Sequence, residues 1–253
     1  MLMAMECVVC GSESFPIFTV EEATICKCKR CNLEFAFPMP GEAVLEKLYS
    51  DYVYYSEYDR QMIRDTVSKN NRKNIEYLAR YGLSGKQRLL DFGCGENLFV
   101  AEGGSGVWVG YDYPHNALNA PLDAKYDFVT LWGVLEHLPD PVKILQSISG
   151  LMGAGGKLVM TTVGTETGIP YRYRYPVHLT WWSRQSVMDL LEKTGFRVLE
   201  ISEYFMIQNP KFYLDRVLDR GRVPLGIKEK ISINIEEDIL VPTNEILIVG
   251  EKT

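Results

Sequence analysis

The chain has little histidine, no long apolar run and no surplus of positive charge, and each shortage removes a class of function. Only His115, His137 and His178 occur among 253 residues, so chemistry that needs an imidazole has three places to reside. No stretch approaches the roughly 20 consecutive apolar residues that span a bilayer. The opening MLMAMECVVCG lacks the basic region and apolar core of a secretory signal, so the expected location is the cytoplasm. Lys and Arg number 27 against 33 Asp and Glu, a formal net charge of −6. Nucleic-acid binding needs a clustered basic face, which the short run Lys27 to Arg30 does not supply. Internal repeats and low-complexity tracts are absent too. What remains, 46% hydrophobic and 24% charged, suits one α/β domain with a small extra module.

Cysteine is scarce except at one place. Five of the six crowd into the N-terminal stretch, as Cys7, Cys10, Cys26, Cys28 and Cys31, and Cys94 stands apart. Without an export signal a disulfide framework is not expected, and such crowding points to a metal. Cys7-Val-Val-Cys10 and Cys28-Lys-Arg-Cys31 are two C-x-x-C pairs joined by the stretch Gly11 to Lys27. Each pair presents two thiolates from one tight knuckle, and two knuckles complete a tetrahedral S4 site for Zn2+. The metal would supply much of the folding energy of so small a module. The plain alternative is free thiols in an unstructured arm. Cys26 is a competing donor, and register favours Cys28 as the partner of Cys31.

The remainder divides by pattern. A zinc-ribbon module is expected over 1–40, a helical cap over 41–82 and an α/β domain over 83–253, with an insertion, a lid or packing piece, at about 207–240. Within the cap, Met62, Ile63, Val67, Ile75, Leu78 and Ala79 recur at helical spacing, and Gly82 suits the stop. Beyond it RLLDFGCG, VWVGYD, YDFVTLW and GGKLVMTTV read as strands alternating with helical or turn segments, of which DPVKILQSISGLM is amphipathic. That alternation implies a doubly wound, mostly parallel sheet of Rossmann type. SRQSVMDLLEKTGF is a helix opened by Ser183 and closed by Gly195, and FRVLEISEYF and EILIVGEK are strands. PKFYLDRVLDR is read as a helix inside the insertion.

LLDFGCGEN is the most informative stretch. A strand ending in Gly-x-Gly lets backbone approach a ligand closely. Asp112 closes the strand that follows this turn, where an acid accepts hydrogen bonds from both ribose hydroxyls. Leu98 stands where a dinucleotide fingerprint has glycine, which argues against nicotinamide or flavin.

The ordered series LLDFGCG, VGYD, YDFVTLWGVLEHLPDP, GGKLVMTTV and LLEKTGF resembles the class I S-adenosylmethionine-dependent methyltransferases of the broad type-11/type-23 group. CNLEFAFPMP followed by LYSDYVYYSEY resembles the branch headed by a zinc ribbon. The resemblance implies that Asp91 and the backbone of Gly93 and Gly95 cradle the amino-acid part of S-adenosylmethionine. It implies that Asp112 holds the ribose with Tyr113 beside the adenine, and that Leu131 to Gly133 line the methionine side. Glu136-His137 matches the LEHL segment of the group. Two departures stand out. Asn97 replaces the third glycine of the usual loop, and only the short stretch Tyr113 to Lys125 separates Asp112 from the next strand. A helix and a third strand do not both fit there, so that strand is expected to be lost or vestigial, with Asp123 the remaining adenine partner.

Methyl transfer from a sulfonium needs alignment above all, plus a base where the acceptor must lose a proton. His178, in a loop after the fifth strand, and His137 are the candidate catalytic groups; the alternatives are a structural hydrogen bonder and a residue fixing a helix turn. His115 reads as surface. Tyr49, Tyr52, Tyr54, Tyr55 and Tyr58 either wall a methyl pocket or pack along a helix. The strip Tyr171 to Tyr175 either grips an anion through Arg172 and Arg174 or is a solvated loop. Trp181 and Trp182 read as core or pocket wall, and Cys94 as structural. The expected activity is methyl transfer to a small molecule or a glycan-type acceptor such as a sugar nucleotide. The alternatives are an RNA or protein methyltransferase that uses the ribbon for recognition, and a non-catalytic binding module on the same fold.

Overall fold

The computed structural model describes residues 5–51, 57–112, 125–168, 173–211, 214 and 237–253, without the side chains of 42, 50–51 and 57–63. The chain opens with β1 (Met5–Glu6), β2 (Glu13–Val20), β3 (Ala23–Cys28) and β4 (Glu34–Phe37). Helices α1 (Glu42–Asp51) and α2 (Glu57–Ala79) follow. Then come β5 (Leu89–Phe92), α3 (Leu98–Gly103), β6 (Trp108–Tyr111), β7 (Tyr126–Trp132), α4 (Pro141–Gly150) and β8 (Met152–Val163). The chain ends with β9 (Thr180–Trp181), α5 (Arg184–Lys193), β10 (Phe196–Gln208) and β11 (Ile239–Lys252).

The main sheet runs β10-β11-β8-β7-β5-β6. Its pairs β6–β5, β5–β7 and β7–β8 are parallel, and β11 is antiparallel to both β8 and β10. The period-two alternation of strands sorts apolar residues onto two faces. Leu90, Val129, Leu131, Leu158, Met160, Ile246 and Ile248 pack with Leu145 and Ile148 of α4 and Val187, Leu190 and Leu191 of α5. Leu89, Phe128, Val159, Leu247 and Val249 pack with Leu78 of α2 and Phe99 of α3. Both faces are covered, as buried parallel strands require. Among the described residues β6 is the edge strand, and the expected loss of a further strand after Asp112 falls on residues 113–124, which lie outside the described residues.

Helix ends follow the local sequence. Asp140 caps α4 by accepting from the Lys143 backbone at 3.0 Å, with Pro141 in the first turn. Ser183 and Ser186 form a reciprocal capping box on α5. A single 3-10 turn, Leu135–His137, lies between β7 and α4.

The N-terminal sheet, β1-β2-β3-β4-β9, has an unexpected fifth member. Strand β9 comes from far along the chain and pairs with β4 (Glu34 with Trp181, Phe35 with Thr180). Cys7, Val9, Cys26, Cys28, Cys31, Leu33 and Phe35 belong to the same apolar core as α4, α5 and one face of the main sheet. The two sheets therefore share a core. No helix among the described residues is long and apolar enough to cross a membrane.

Candidate functional site

Strands β6 and β7 flank β5 on opposite sides, so the strand order reverses there, and α/β folds hold ligands outside the carboxyl ends of strands at such a point. Three devices shape it. Gly93, at φ +79, donates its backbone N–H to Tyr111 O at 2.7 Å, and a Cβ there would meet Val134 Cγ2 at 2.4 Å. Gly95, at φ +50, has nothing among the described residues within 4 Å of a Cβ position. Asn97 takes the left-handed conformation, φ 61, as the residue before α3; asparagine tolerates this better than most residues. Its Oδ1 is buried without a hydrogen-bond partner among the described residues.

Asp91 is buried at the end of β5 and accepts a 2.7 Å hydrogen bond from Thr130 Oγ1 on β7. Burial pushes its carboxyl up to about 7, Thr130 draws it back, and the nearby Asp112 raises it. Asp112 follows directly on β6. Two acids beside a glycine turn fit a ligand with an ammonium group and a ribose. Leu131 contributes only backbone, its side chain being fully buried in the core. Gly133, at φ +64, is pinned through its N–H to Thr161 Oγ1 at 3.0 Å. Tyr113, His115 and Asp123 lie outside the described residues.

A second group gathers just past the end of β7. Glu136 is buried and accepts from Thr162 Oγ1 at 2.8 Å. Burial pushes its carboxyl up to about 7, opposed by Thr162 and by the charge of Arg174. His137 donates from Nδ1 to Val177 O at 2.7 Å, and burial brings its imidazole down to about 4. The ring of His178 stands edge-on to that of His137, centroids 5.0 Å apart. It is brought down to about 3, first by burial and then by His137 and Arg174. His178 is 8% exposed, and its Nδ1 is buried with no hydrogen-bond partner among the described residues. The Tyr49 ring lies 6.3 Å from that of His137. His137 and His178, on either side of α4 and β8 in the chain, are thus neighbours in space.

The thiols of Cys7, Cys10, Cys28 and Cys31 lie within 4.8 Å of one another. Individual Sγ separations are 3.6 Å for Cys7–Cys31, 3.5 Å for Cys10–Cys28 and 3.7 Å for Cys10–Cys31. Four sulfurs at about 2.3 Å from a tetrahedral Zn2+ lie roughly 3.8 Å apart, so the cluster fits that ion. The backbone N–H groups of Arg30 and Cys31 both point at Cys28 Sγ at 3.4 Å, as in a metal knuckle. The bond with Cys31 holds the Cys7 thiol down to about 5 and pushes that of Cys31 up. Cys26 faces away, toward Met5 Sδ at 3.1 Å.

Other expectations resolve differently. Of the Tyr/Arg strip, Tyr173 packs against Phe18 and Trp181 and donates to Glu34 Oε2 at 2.5 Å, so it is tied to the N-terminal sheet. Arg174 acts on Glu136, His137 and His178; Tyr171 and Arg172 lie outside the described residues. The same holds for Tyr52, Tyr54, Tyr55, the Tyr58 side chain and nearly all of the expected insertion helix. Trp181 and Trp182 are fully buried. Sequence reasoning passed over Glu245, an acid midway along β11 whose carboxyl burial pushes up to about 7. No motif marks it; the one signal was an acid at the head of the apolar run Ile246 to Val249.

Comparison with known proteins identifies the family and the fold. A family model described as "Methyltransferase domain" matches residues 58–201. A ubiquinone biosynthesis O-methyltransferase from Haemophilus ducreyi is 27% identical over 116 residues, 38% of this chain and 48% of that protein. The chain spans about half the length of the first curated relatives it matches. Two crystal structures share the fold. One is the Burkholderia thailandensis 1,6-didemethyltoxoflavin-N1-methyltransferase with bound S-adenosylhomocysteine, at 16% identity and TM-score 0.53 over 94% of this chain and 99% of that one. The other is Haemonchus contortus phosphoethanolamine N-methyltransferase 2 in complex with S-adenosyl-L-methionine, at 15% identity and TM-score 0.52 over 94% of this chain and 71% of that one.

Proposed function

The chain belongs to the methyltransferase-domain family, and on that premise we propose that it transfers the methyl group of S-adenosylmethionine to a small-molecule or glycan-type acceptor. One observation carries the reading: Asp91, the turn at Gly93 and Gly95, and Asp112 converge at the carboxyl ends of β5 and β6. Asp91 would receive the ammonium of the cofactor, Gly93 and Gly95 its amino-acid backbone, and Asp112 the ribose hydroxyls, with Tyr113 toward the adenine. The backbone at Leu131 and Gly133 would flank the methionine chain. S-adenosylmethionine supplies an activated methyl group, so the work left to the protein is alignment and exclusion of water.

The acceptor side is assigned to Glu136, His137 and His178 with the nearby Arg174. Burial keeps both imidazoles uncharged near neutral pH. An uncharged imidazole engages an acceptor in one of two ways, by taking its proton or by holding a cation that binds its oxygen. Arg174 suits an anionic substituent, such as the phosphate of a sugar nucleotide.

Cys7, Cys10, Cys28 and Cys31 would hold a structural Zn2+, and its role in this reading is to position the acceptor segment. Ser183 donates to Cys31 O at 2.6 Å, Ala36 N–H donates to Leu179 O at 2.9 Å, and Leu179 N–H donates to Glu136 O at 2.8 Å. His178 sits within this chain of bonds. A second reading, a binding module that does not methylate, draws on the short stretch after Asp112. Calorimetric titration with S-adenosylmethionine and S-adenosylhomocysteine separates the two: micromolar binding of both supports the enzyme, and no binding at millimolar ligand moves the binding module to first place.

A further inference from the structure

The cluster at Glu136, His137 and His178 holds a carboxylate and two imidazoles, one ligand atom from each lying within 4.8 Å of the other two. Two uncharged nitrogens and a carboxylate are the donor set that Zn2+ and its neighbours in the first transition row accept, whereas Mg2+ and Ca2+ take oxygen donors. Outer contacts of the kind that orient metal ligands are already present. Val177 O holds the ring of His137 through Nδ1, and the Gly133 backbone is a second partner of that imidazole. Thr162 Oγ1 fixes one oxygen of Glu136.

The independent sign of a missing ligand is His178 Nδ1. The residue is more than nine-tenths buried, and this nitrogen has no partner among the described residues. A buried polar atom left without a partner costs about 1–3 kcal/mol, and a cation between the two rings would supply one. The feature that opposes cation binding is the charge of Arg174, which acts on all three groups. Bound ligand atoms at about 2.0–2.2 Å from the ion would sit roughly 3–3.5 Å apart, so from separations within 4.8 Å the side chains need to close by at most about 1.3–1.8 Å.

We propose that Glu136, His137 and His178 form a second metal site, for a divalent transition-metal ion of the Zn2+ class, with a coordination position open to an oxygen of the acceptor. The site is separate from the four-cysteine cluster. The inference rests on the acceptor-side assignment above, and it selects acceptors that present a hydroxyl or carbonyl oxygen over simple amines.

The test is metal content of the full chain, loaded with Zn2+ and then freed of loose metal on a chelating resin. Two zinc ions per chain are expected for the native protein, and one each for His178→Ala and Glu136→Gln with the ribbon metal retained. Replacement by Co2+ gives an independent readout. Thiolate-to-cobalt charge-transfer absorption reports the cysteine site and should persist, while the weaker visible bands of a nitrogen and oxygen site should vanish in His178→Ala and in Glu136→Gln. One zinc per chain in the native protein, unchanged by His178→Ala, overturns the proposal. Titration with S-adenosylmethionine keeps the two readings apart. Cofactor binding without a second metal refutes the metal site only, and a second metal without cofactor binding refutes the methyltransferase reading only.

Discussion

The hydroxyl of Ser183 donates a 2.6 Å hydrogen bond to the backbone carbonyl of Cys31. One residue thus caps α5 and latches the second C-x-x-C knuckle, at a separation of 152 positions in the chain. Beside it Lys193 Nζ donates to Val9 O at 2.7 Å, which ties the other end of α5 to the first knuckle. The knuckles and the segment 173–183 therefore behave as one mechanical unit.

Ser183→Ala tests that unit. It removes the cap and the latch together and should cost about 1–2 kcal/mol in denaturant unfolding. Zinc should also pass to a competing chelator severalfold faster than from the native chain. An unchanged release rate would mean that the knuckles hold their metal without help from α5.

Asp112→Ala should weaken S-adenosylmethionine binding at least tenfold, roughly 1.4 kcal/mol. Ribose hydroxyls lose their acceptor while the glycine turn is untouched. Equal affinities for variant and native protein in calorimetry would place the ribose elsewhere.

Cofactor affinity should depend on pH through Asp91. Its carboxyl stands at about 7 in the folded chain, burial being the first cause. An ammonium ligand favours the ionised form, so binding releases a proton below that value. Affinity should rise as pH increases from about 5 to 7 and then level off, and calorimetry in buffers of different ionisation enthalpy should count the proton. Asp91→Asn should bind more weakly and lose the dependence. The effect on stability has the opposite sign. With a folded pKa above its unfolded value, Asp91 contributes stability that is complete below the ordinary carboxylate range and lost as pH rises through 7. A native affinity that is flat from pH 5 to 8 would remove Asp91 from the cofactor site.

His178→Ala should reduce acceptor turnover at least a hundredfold while the affinity for S-adenosylmethionine stays within about threefold, since a group confined to the acceptor side acts on the second substrate alone. A matching loss in both would show that His178 supports the cofactor site instead.

Much of this was legible in the residues themselves. The short apolar, β-prone runs LLDF, YDFVTLW, KLVMTTV and EILIV marked strands, as such runs between turn residues do in a buried sheet. Ser183 marked a helix start because a short polar side chain reaches the free N–H groups of a first turn. The paired cysteine spacing singled out Cys7, Cys10, Cys28 and Cys31 because a knuckle is a local structure. Strand β9 was not legible, since so short a strand carries no period and its pairing partner, β4, lies near the other end of the chain.

The sequence by itself thus determined what depends on neighbours along the chain: strand positions, the helix start at Ser183, the glycine turn and the two knuckles. Tertiary structure alone decided what depends on neighbours across space. It set His178 against His137 and desolvated Glu136 and Glu245 enough to hold their protons near neutrality. It also drew Tyr173 from an expected substrate strip onto Glu34, and made the cysteine module share a core with the main sheet. Desolvation and ring-to-ring contact exist only once distant segments pack, and no local pattern of residues encodes them.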